Sequence, residues 1–289
     1  MSERSAVADA ISAPRRRFTL KYAGRLGKFT HLAGEDPIDQ LHFLADQGIL
    51  ALEDSHMQRR PVELQEQLAR AMGRLGMEMG TFIATADFAR PTFTCGDENL
   101  RQHVLAEMRA AVEVAKRLSA RWFTVVPGTA HPSLPWGYQT SNMIDTLKCC
   151  CDLCEPAGMV MIVEPLNTIV DHPGMFLTHI DQAYHICRAV GRPSCKILDD
   201  LYHQQITEGD LIGNLDRAWD EIAYIQVGDH PGRNEPTTGE INYQTIFQHL
   251  YRKGYQGLIG MEHGHSRSGP EGEMAVLAAY RKVDPADAK

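Results

Sequence analysis

No stretch of this chain approaches the ~20 consecutive apolar residues that a membrane-spanning helix needs, so a soluble protein without a membrane partner is expected. Basic charge is also in short supply. Lys and Arg number 29 against 37 Asp and Glu, a net charge of −8. Duplex binders rely on a basic surface, so no nucleic-acid partner is expected. The seven cysteines form no framework of the secreted kind. Cys149, Cys150, Cys151 and Cys154 crowd into TLKCCCDLCEPAG, but a zinc site would need a second ligand pair at comparable spacing, and none is present. Those thiols are predicted to pack inward as small hydrophobes, and such cysteine usage points to a reducing cytoplasm. The PRRRF motif lacks the apolar segment of a twin-arginine export signal, because FTLKYAGRLGKFTHL follows it. Residues 1–17 read instead as a disordered basic tail.

What is there is apolar material in a regular order. The 289 residues are 43% hydrophobic, enough for a large core. From Phe18 onward, β-rich runs alternate with amphipathic helical patterns. The strand candidates are FTLKYA (from Phe18), LALEDS (Leu50), EMGTFIAT (Glu78), RWFTVVPG (Arg121), VMIVEPLN (Val160), CKILDDLYH (Cys195), AYIQVGD (Ala223) and GLIGMEH (Gly257). Eight strand–helix units averaging about 33 residues, with strands that read as apolar runs, imply parallel pairing covered on both faces. The predicted fold is α/β, a single (β/α)₈ TIM barrel over residues 18–283, followed by a C-terminal tail over 284–289. An open doubly wound sheet is the alternative, but Tyr22 to Lys28 carries no G-x-G-x-x-G turn.

In such a barrel, chemistry sits at the carboxyl ends of the strands. Four late strands end in metal-type ligands: Glu164, Asp200, Gln226 and Glu262, separated by 36, 26 and 36 residues. Each gap is about one unit, so barrel closure would gather all four at one mouth. Three carboxylates and an amide oxygen suit a hard divalent ion, Mg²⁺ or Mn²⁺, so one such ion is the expected cofactor. Asp199, beside Asp200, is expected to face the helices by the two-residue period of a strand. Lys21 is read as ending the first strand, where it could neutralise substrate charge. Glu53, Asp54, His131 and Trp136 are weaker candidates at other strand ends.

These motifs carry a resemblance. EPLN at Glu164, DLYH at Asp200, QVGDHPGRNEPTTGEINY from Gln226 and MEH at Glu262 resemble the xylose-isomerase-like barrel superfamily, in particular its hydroxypyruvate-isomerase-like branch, from about Phe18 to about Gly264. The resemblance implies that Glu164, Asp200, Gln226 and Glu262 ligate the metal, and that Glu164 and Glu262 are the catalytic proton-transfer carboxylates. It also implies that His203 and Arg233 bind substrate. Taken as residue types, His203 either hydrogen-bonds a substrate hydroxyl or is satisfied within the barrel wall. Arg233 either offers its planar fork to a substrate carboxylate or pairs with Glu235 or Glu240 at the loop surface.

The expected activity is that of a metal-dependent isomerase. It would act on a small, polar α-hydroxycarbonyl compound such as hydroxypyruvate or a sugar acid, moving a proton through an enediolate. A ketose 3-epimerase and a metal-dependent dehydratase or lyase are the enzyme alternatives on the same scaffold. A zinc-dependent DNA-cutting barrel and a non-catalytic binding protein are disfavoured by the charge and by the four clustered ligands. The oligomeric state is left open.

Overall fold

Apolar runs become strands and amphipathic ones become helices in regular alternation, over residues 17–285, which the computed structural model describes. The strands are β1 (Lys21–Arg25), β2 (Ala51–Glu53), β3 (Glu78–Met79), β4 (Ile83–Ala86), β5 (Trp122–Val126), β6 (Val160–Val163), β7 (Cys195–Asp200), β8 (Ile222–Gln226) and β9 (Leu258–Gly260). All pair in parallel, in the order β3-β2-β1-β9-β8-β7-β6-β5-β4. The sheet curls until both ends of that order fall on one run of chain, residues 78–86. Along it, Gly80 N–H donates to Leu52 O at 2.7 Å, while Phe82 O accepts from Thr124 N–H at 2.7 Å. The run therefore changes partner midway, and the expected third strand is divided in two, giving nine strands where eight were expected. Glycine is required at the division, since a Cβ on Gly80 would lie 2.6 Å from Tyr224 Oη.

The helices are α1 (Thr30–Ala33), α2 (Pro37–Asp46), α3 (Val62–Leu75), α4 (Glu98–Leu118), α5 (Trp136–Cys154), α6 (Ile180–Val190), α7 (Leu201–Thr207), α8 (Leu211–Ala218), α9 (Tyr243–Arg252) and α10 (Gly269–Val283). Several start where a side chain caps them. Asp36 accepts from Ile38 N–H ahead of Pro37, and Asp97 accepts from Leu100 N–H. The longer helices lay an apolar stripe on the sheet. In α4 that stripe includes Val104, Leu105, Met108, Ala111, Val112 and Ala115, at spacings of one, three and four. Burying one such large side chain contributes roughly 1.5–3 kcal/mol. Cys150, Cys151 and Cys154 are buried on α5, as small hydrophobes would be, and the cysteines among the described residues are all free.

A separate cluster lies within the curl of the sheet: Ala23, Ala51, Trp122, Ile162, Leu198, Tyr224 and Leu258. It forms the floor beneath the site. The lead-in to β1 meets the end of α10 at Asp284, whose carboxylate accepts from Thr19 N–H (2.8 Å), Leu20 N–H (3.1 Å) and the Tyr22 hydroxyl (3.1 Å). The basic tail expected over residues 1–17 falls, apart from Arg17, outside the described residues, as do residues 286–289. Among the described residues, no helix is long and apolar enough to cross a membrane.

Candidate active site

A strand turns every second side chain to the same face, so the residue two positions beyond each floor residue also points inward. Beyond Ala23 comes Arg25; beyond Ala51, Glu53; beyond Ile162, Glu164; beyond Leu198, Asp200; beyond Tyr224, Gln226. Beyond Leu258 come Gly260 and then Glu262. The ladder fixes the levels: Arg25 pairs with Glu53, Asp200 with Gln226, and Gln226 with Gly260. One polar layer thus lies over one apolar floor, at the carboxyl ends of the strands. Glu53, Glu164, Asp200 and Gln226 are all buried.

Two guanidinium groups thread this layer. Arg25 Nη1 donates to Glu262 Oε1 at 2.8 Å, and its Nη2 donates to Ser55 Oγ at 2.6 Å. Arg233 Nη2 donates to Asp200 Oδ2 at 2.8 Å and to Glu262 Oε2 at 3.2 Å, with the guanidinium 4.7 Å above the Tyr202 ring. Arg233 therefore pairs with neither Glu235, which accepts from Ser266, nor Glu240, which accepts from Gln205.

The charges divide the carboxyls. Burial, with Glu262 and Asp200 nearby, pushes Glu164 well above the usual carboxylate range. Burial also raises Glu262, but Arg25 and Arg233 outweigh it and leave that carboxyl below its ordinary value. Burial lifts Asp200 to about 6 against the pull of Arg233, and lifts Glu53 to about 7 with help from Glu262.

His203 is fixed as a donor. Asn167 Oδ1 accepts the N–H groups of Val170 (2.9 Å) and Asp171 (3.2 Å), which turns its Nδ2 toward Asp171 and His203. That Nδ2 lies 2.6 Å from His203 Nδ1, so Nδ1 accepts and the ring proton sits on Nε2. Nε2 points at Asp200 Oδ2 (3.5 Å) and Glu164 Oε1 (4.0 Å). Burial and then Arg233 depress the imidazole to about 3, so it donates as the neutral ring.

The donor set fits a divalent cation. Among the described residues, Gln226 Oε1 is buried without a hydrogen-bond partner, and the nearest basic side-chain nitrogen to Glu164, His203 Nε2, stands off at 4.0 Å. Donor atoms of Glu164, Asp200 and His203 lie within 4.8 Å of one another. In that trio the tautomer argues that His203 supplies a hydrogen and the carboxylates supply oxygen.

Of the residues expected from sequence, Glu164, Asp200, Gln226, Glu262, His203 and Arg233 come together in this layer. Lys21 does not. The first strand begins at Lys21 instead of ending there, so its side chain lies at the amino ends of the strands, exposed and 3.0 Å from Glu78. Arg25 takes the place assigned to it. Asp199 faces the helices, buried, with neither carboxylate oxygen hydrogen-bonded. His131 and Trp136 lie in and after the loop following β5; the Trp136 ring packs on Phe176 at 4.5 Å. Sequence reasoning missed Arg25, the part of Asn167 in orienting His203, and Lys28, a buried lysine whose Nζ donates to the His263 carbonyl. Burial, then Arg25, lowers Lys28 to about 7.

Comparison with known proteins places this geometry. A family model described as xylose isomerase-like TIM barrel matches residues 41–282. Over 123 residues the chain is 39% identical to 2-oxo-tetronate isomerase of Cupriavidus necator, a match covering 43% of this chain and spanning 46% of that relative's length. It is 35% identical over 226 residues to the putative hydroxypyruvate isomerase of Homo sapiens, covering 75% of this chain and 81% of that one. A crystal structure of AP endonuclease, family 2, from Brucella melitensis has a similar fold, with a TM-score of 0.76 at 24% identity over 91% of this chain and 99% of that one.

Proposed function

The chain belongs to the xylose isomerase-like TIM-barrel family, and from that premise we propose a divalent-metal-dependent isomerase of a small α-hydroxycarbonyl compound, of the hydroxypyruvate or sugar-acid type. The scaffold on this reading is one closed barrel of eight strand–helix units, with β3 and β4 as halves of its third strand. The observation that carries the reading is the unequal pair Glu164 and Glu262 in one buried layer. Glu262 is held by Arg25 at 2.8 Å and by Arg233 at 3.2 Å, whereas Glu164 lies 4.0 Å from His203 Nε2. Two carboxyls set apart in this way are what transfer between adjacent carbons needs: one group to take a proton and one to deliver it. The relatives' names, 2-oxo-tetronate isomerase and putative hydroxypyruvate isomerase, support the same class.

Glu164, Asp200, Gln226 and Glu262 would hold the ion, and their all-oxygen donor set favours Mg²⁺ or Mn²⁺. Such an ion supplies polarisation of the substrate carbonyl and stabilises the negative charge that develops on its oxygen. The chain's own groups do the rest. The Glu262 carboxylate accepts the proton from the carbon bearing the hydroxyl, and Glu164 returns a proton to the neighbouring carbon. The hydroxyl proton passes to the former carbonyl oxygen, so the product is an isomer with no net redox change. His203 Nε2–H donates to a substrate oxygen, and Arg233 supplies the fork for a substrate carboxylate.

The test is a screen of hydroxypyruvate and short sugar acids with Mg²⁺ or Mn²⁺ in heavy water, followed by proton NMR. Deuterium entering the carbon next to the carbonyl, together with isomer formation that a chelator stops, is the expected result. Arg233→Ala should raise KM for an acid roughly ten- to a hundredfold, the worth of a lost charged hydrogen-bond pair. Neutral ketoses turning over faster than every acid, with Arg233→Ala silent, would replace this reading with the 3-epimerase one.

A further inference from the structure

Glu53 lies in the polar layer, yet the reaction above gives it no task. It is fully buried at the end of β2, where its two carboxylate oxygens are divided between two donors. Oε2 accepts from the Tyr224 hydroxyl at 3.0 Å, and Oε1 accepts from Gln226 Nε2 at 2.9 Å. The backbone leaves room for this arrangement. A Cβ on Gly260 would collide with Glu53 Oε2, and one on Gly80 would strike the Tyr224 hydroxyl.

In its ionised form, which Arg25 Nη1 favours from 3.9 Å, Glu53 can only accept, so it admits the nitrogen end of the neighbouring amide and rejects the oxygen end. With Nε2 committed, Gln226 has one atom left to offer, and that atom, Oε1, is buried without a partner. We propose that Glu53 is a positioning residue: by holding the Gln226 amide nitrogen, with Tyr224 holding Glu53 in turn, it makes the amide oxygen the end presented to the divalent cation. Without it, the amide can turn over and aim two N–H hydrogens at a cation. This inference rests on the reading of Gln226 as a ligand, and it assigns Glu53 no contact with substrate or ion.

The test is a titration of the full-length chain with Mn²⁺ alone, reading the paramagnetic resonance signal of the free ion, so that turnover plays no part. Glu53→Gln should weaken Mn²⁺ binding about ten- to a hundredfold, the usual cost of losing a group that orients a ligand. The reciprocal pair, Glu53→Gln with Gln226→Glu, restores one donor and one acceptor across the same gap at unchanged total charge. Compared with Gln226→Glu alone, the pair should show no further loss of affinity, because a carboxylate ligand has no nitrogen end to turn toward the cation, whereas a general packing or charge role for Glu53 would cost the same in both backgrounds. Tyr224→Phe carries the same test should Glu53→Gln fail to fold: a several-fold loss supports the assignment, and unchanged affinity overturns it. Wild-type protein that binds Mn²⁺ no better than Glu53→Gln overturns the positioning role and leaves the metal reading standing. Wild-type protein that does not bind Mn²⁺ at all overturns both.

Discussion

Glu164 and Glu262 are the same side chain in two electrostatic settings, and that difference can be measured apart from turnover. Glu164→Gln and Glu262→Gln should each lower kcat by on the order of 10²–10⁴, the usual worth of a proton-transfer group. Their effects on stability should differ. Glu262 neutralises Arg25 and Arg233, so its amide leaves two half-buried guanidinium groups with weakened partners, and the melting temperature should fall. Glu164 makes no ion pair with an arginine among the described residues, and burial outweighs the pull of nearby Arg233 and favours its neutral form, so an amide there should leave the melting temperature unchanged or raise it. Asp199 makes a comparable case outside the site. Burial, then Asp200, raises it to about 8, whereas an unfolded Asp titrates near ~4. The folded protein therefore holds the extra proton between those values. The stability this group contributes is complete below ~4 and is lost as pH rises through about 8. Asp199→Asn should thus gain stability over the wild type, on the order of 1–3 kcal/mol, and more at pH 8.5 than at pH 5. Urea unfolding at the two pH values checks this, and an equal gap at both would show that Asp199 does not titrate as described.

Elements explain where the sequence could be read and where it could not. The ligands of the polar layer were legible because spacings of 36, 26 and 36 residues match one strand–helix unit, which brought Glu164, Asp200, Gln226 and Glu262 into view at successive strand ends; the floor beneath them was not, since it is made of ordinary apolar residues of seven different strands. β1 misled because the run FTLKYA starts the strand at Phe18, three residues early, and stops it before Gly24. Gly24 lies within the strand, and it is small because Leu44 of α2 packs over it, with Cδ2 only 2.6 Å from where a Cβ would stand. That misplaced boundary put Lys21 in the site and hid Arg25. At DLYH, one residue does two jobs. Asp200 ends β7 and accepts from Tyr202 N–H at 2.9 Å as the cap of α7, so a helix begins where a strand was expected to continue. The division between β3 and β4 offers a direct test at this scale. Gly80→Ala should destabilise the fold by about 1–3 kcal/mol, since its methyl group must displace the Tyr224 hydroxyl or the Leu52 carbonyl. A thermal melt indistinguishable from wild type would show that the run has slack there.

At the scale of the whole molecule, strands β1 and β9 pair with each other, and Asp284 ties the last helix to the lead-in of the first strand. Thr19 Oγ1 also donates to Pro285 O at 2.8 Å. The first and last strands of the described chain are thus neighbours in space, so the place where the chain is opened can be moved without parting them. A circular permutant that joins residue 285 to residue 18 by a short linker and opens between Ala157 and Gly158, in the turn before β6, should melt cooperatively and keep the polar layer. Circular dichroism with a melting curve decides it. If no cooperative transition appears, the order of synthesis matters to this fold after all; if one does, the three hydrogen bonds to Asp284 act as the clasp of a closed band that can be unfastened elsewhere.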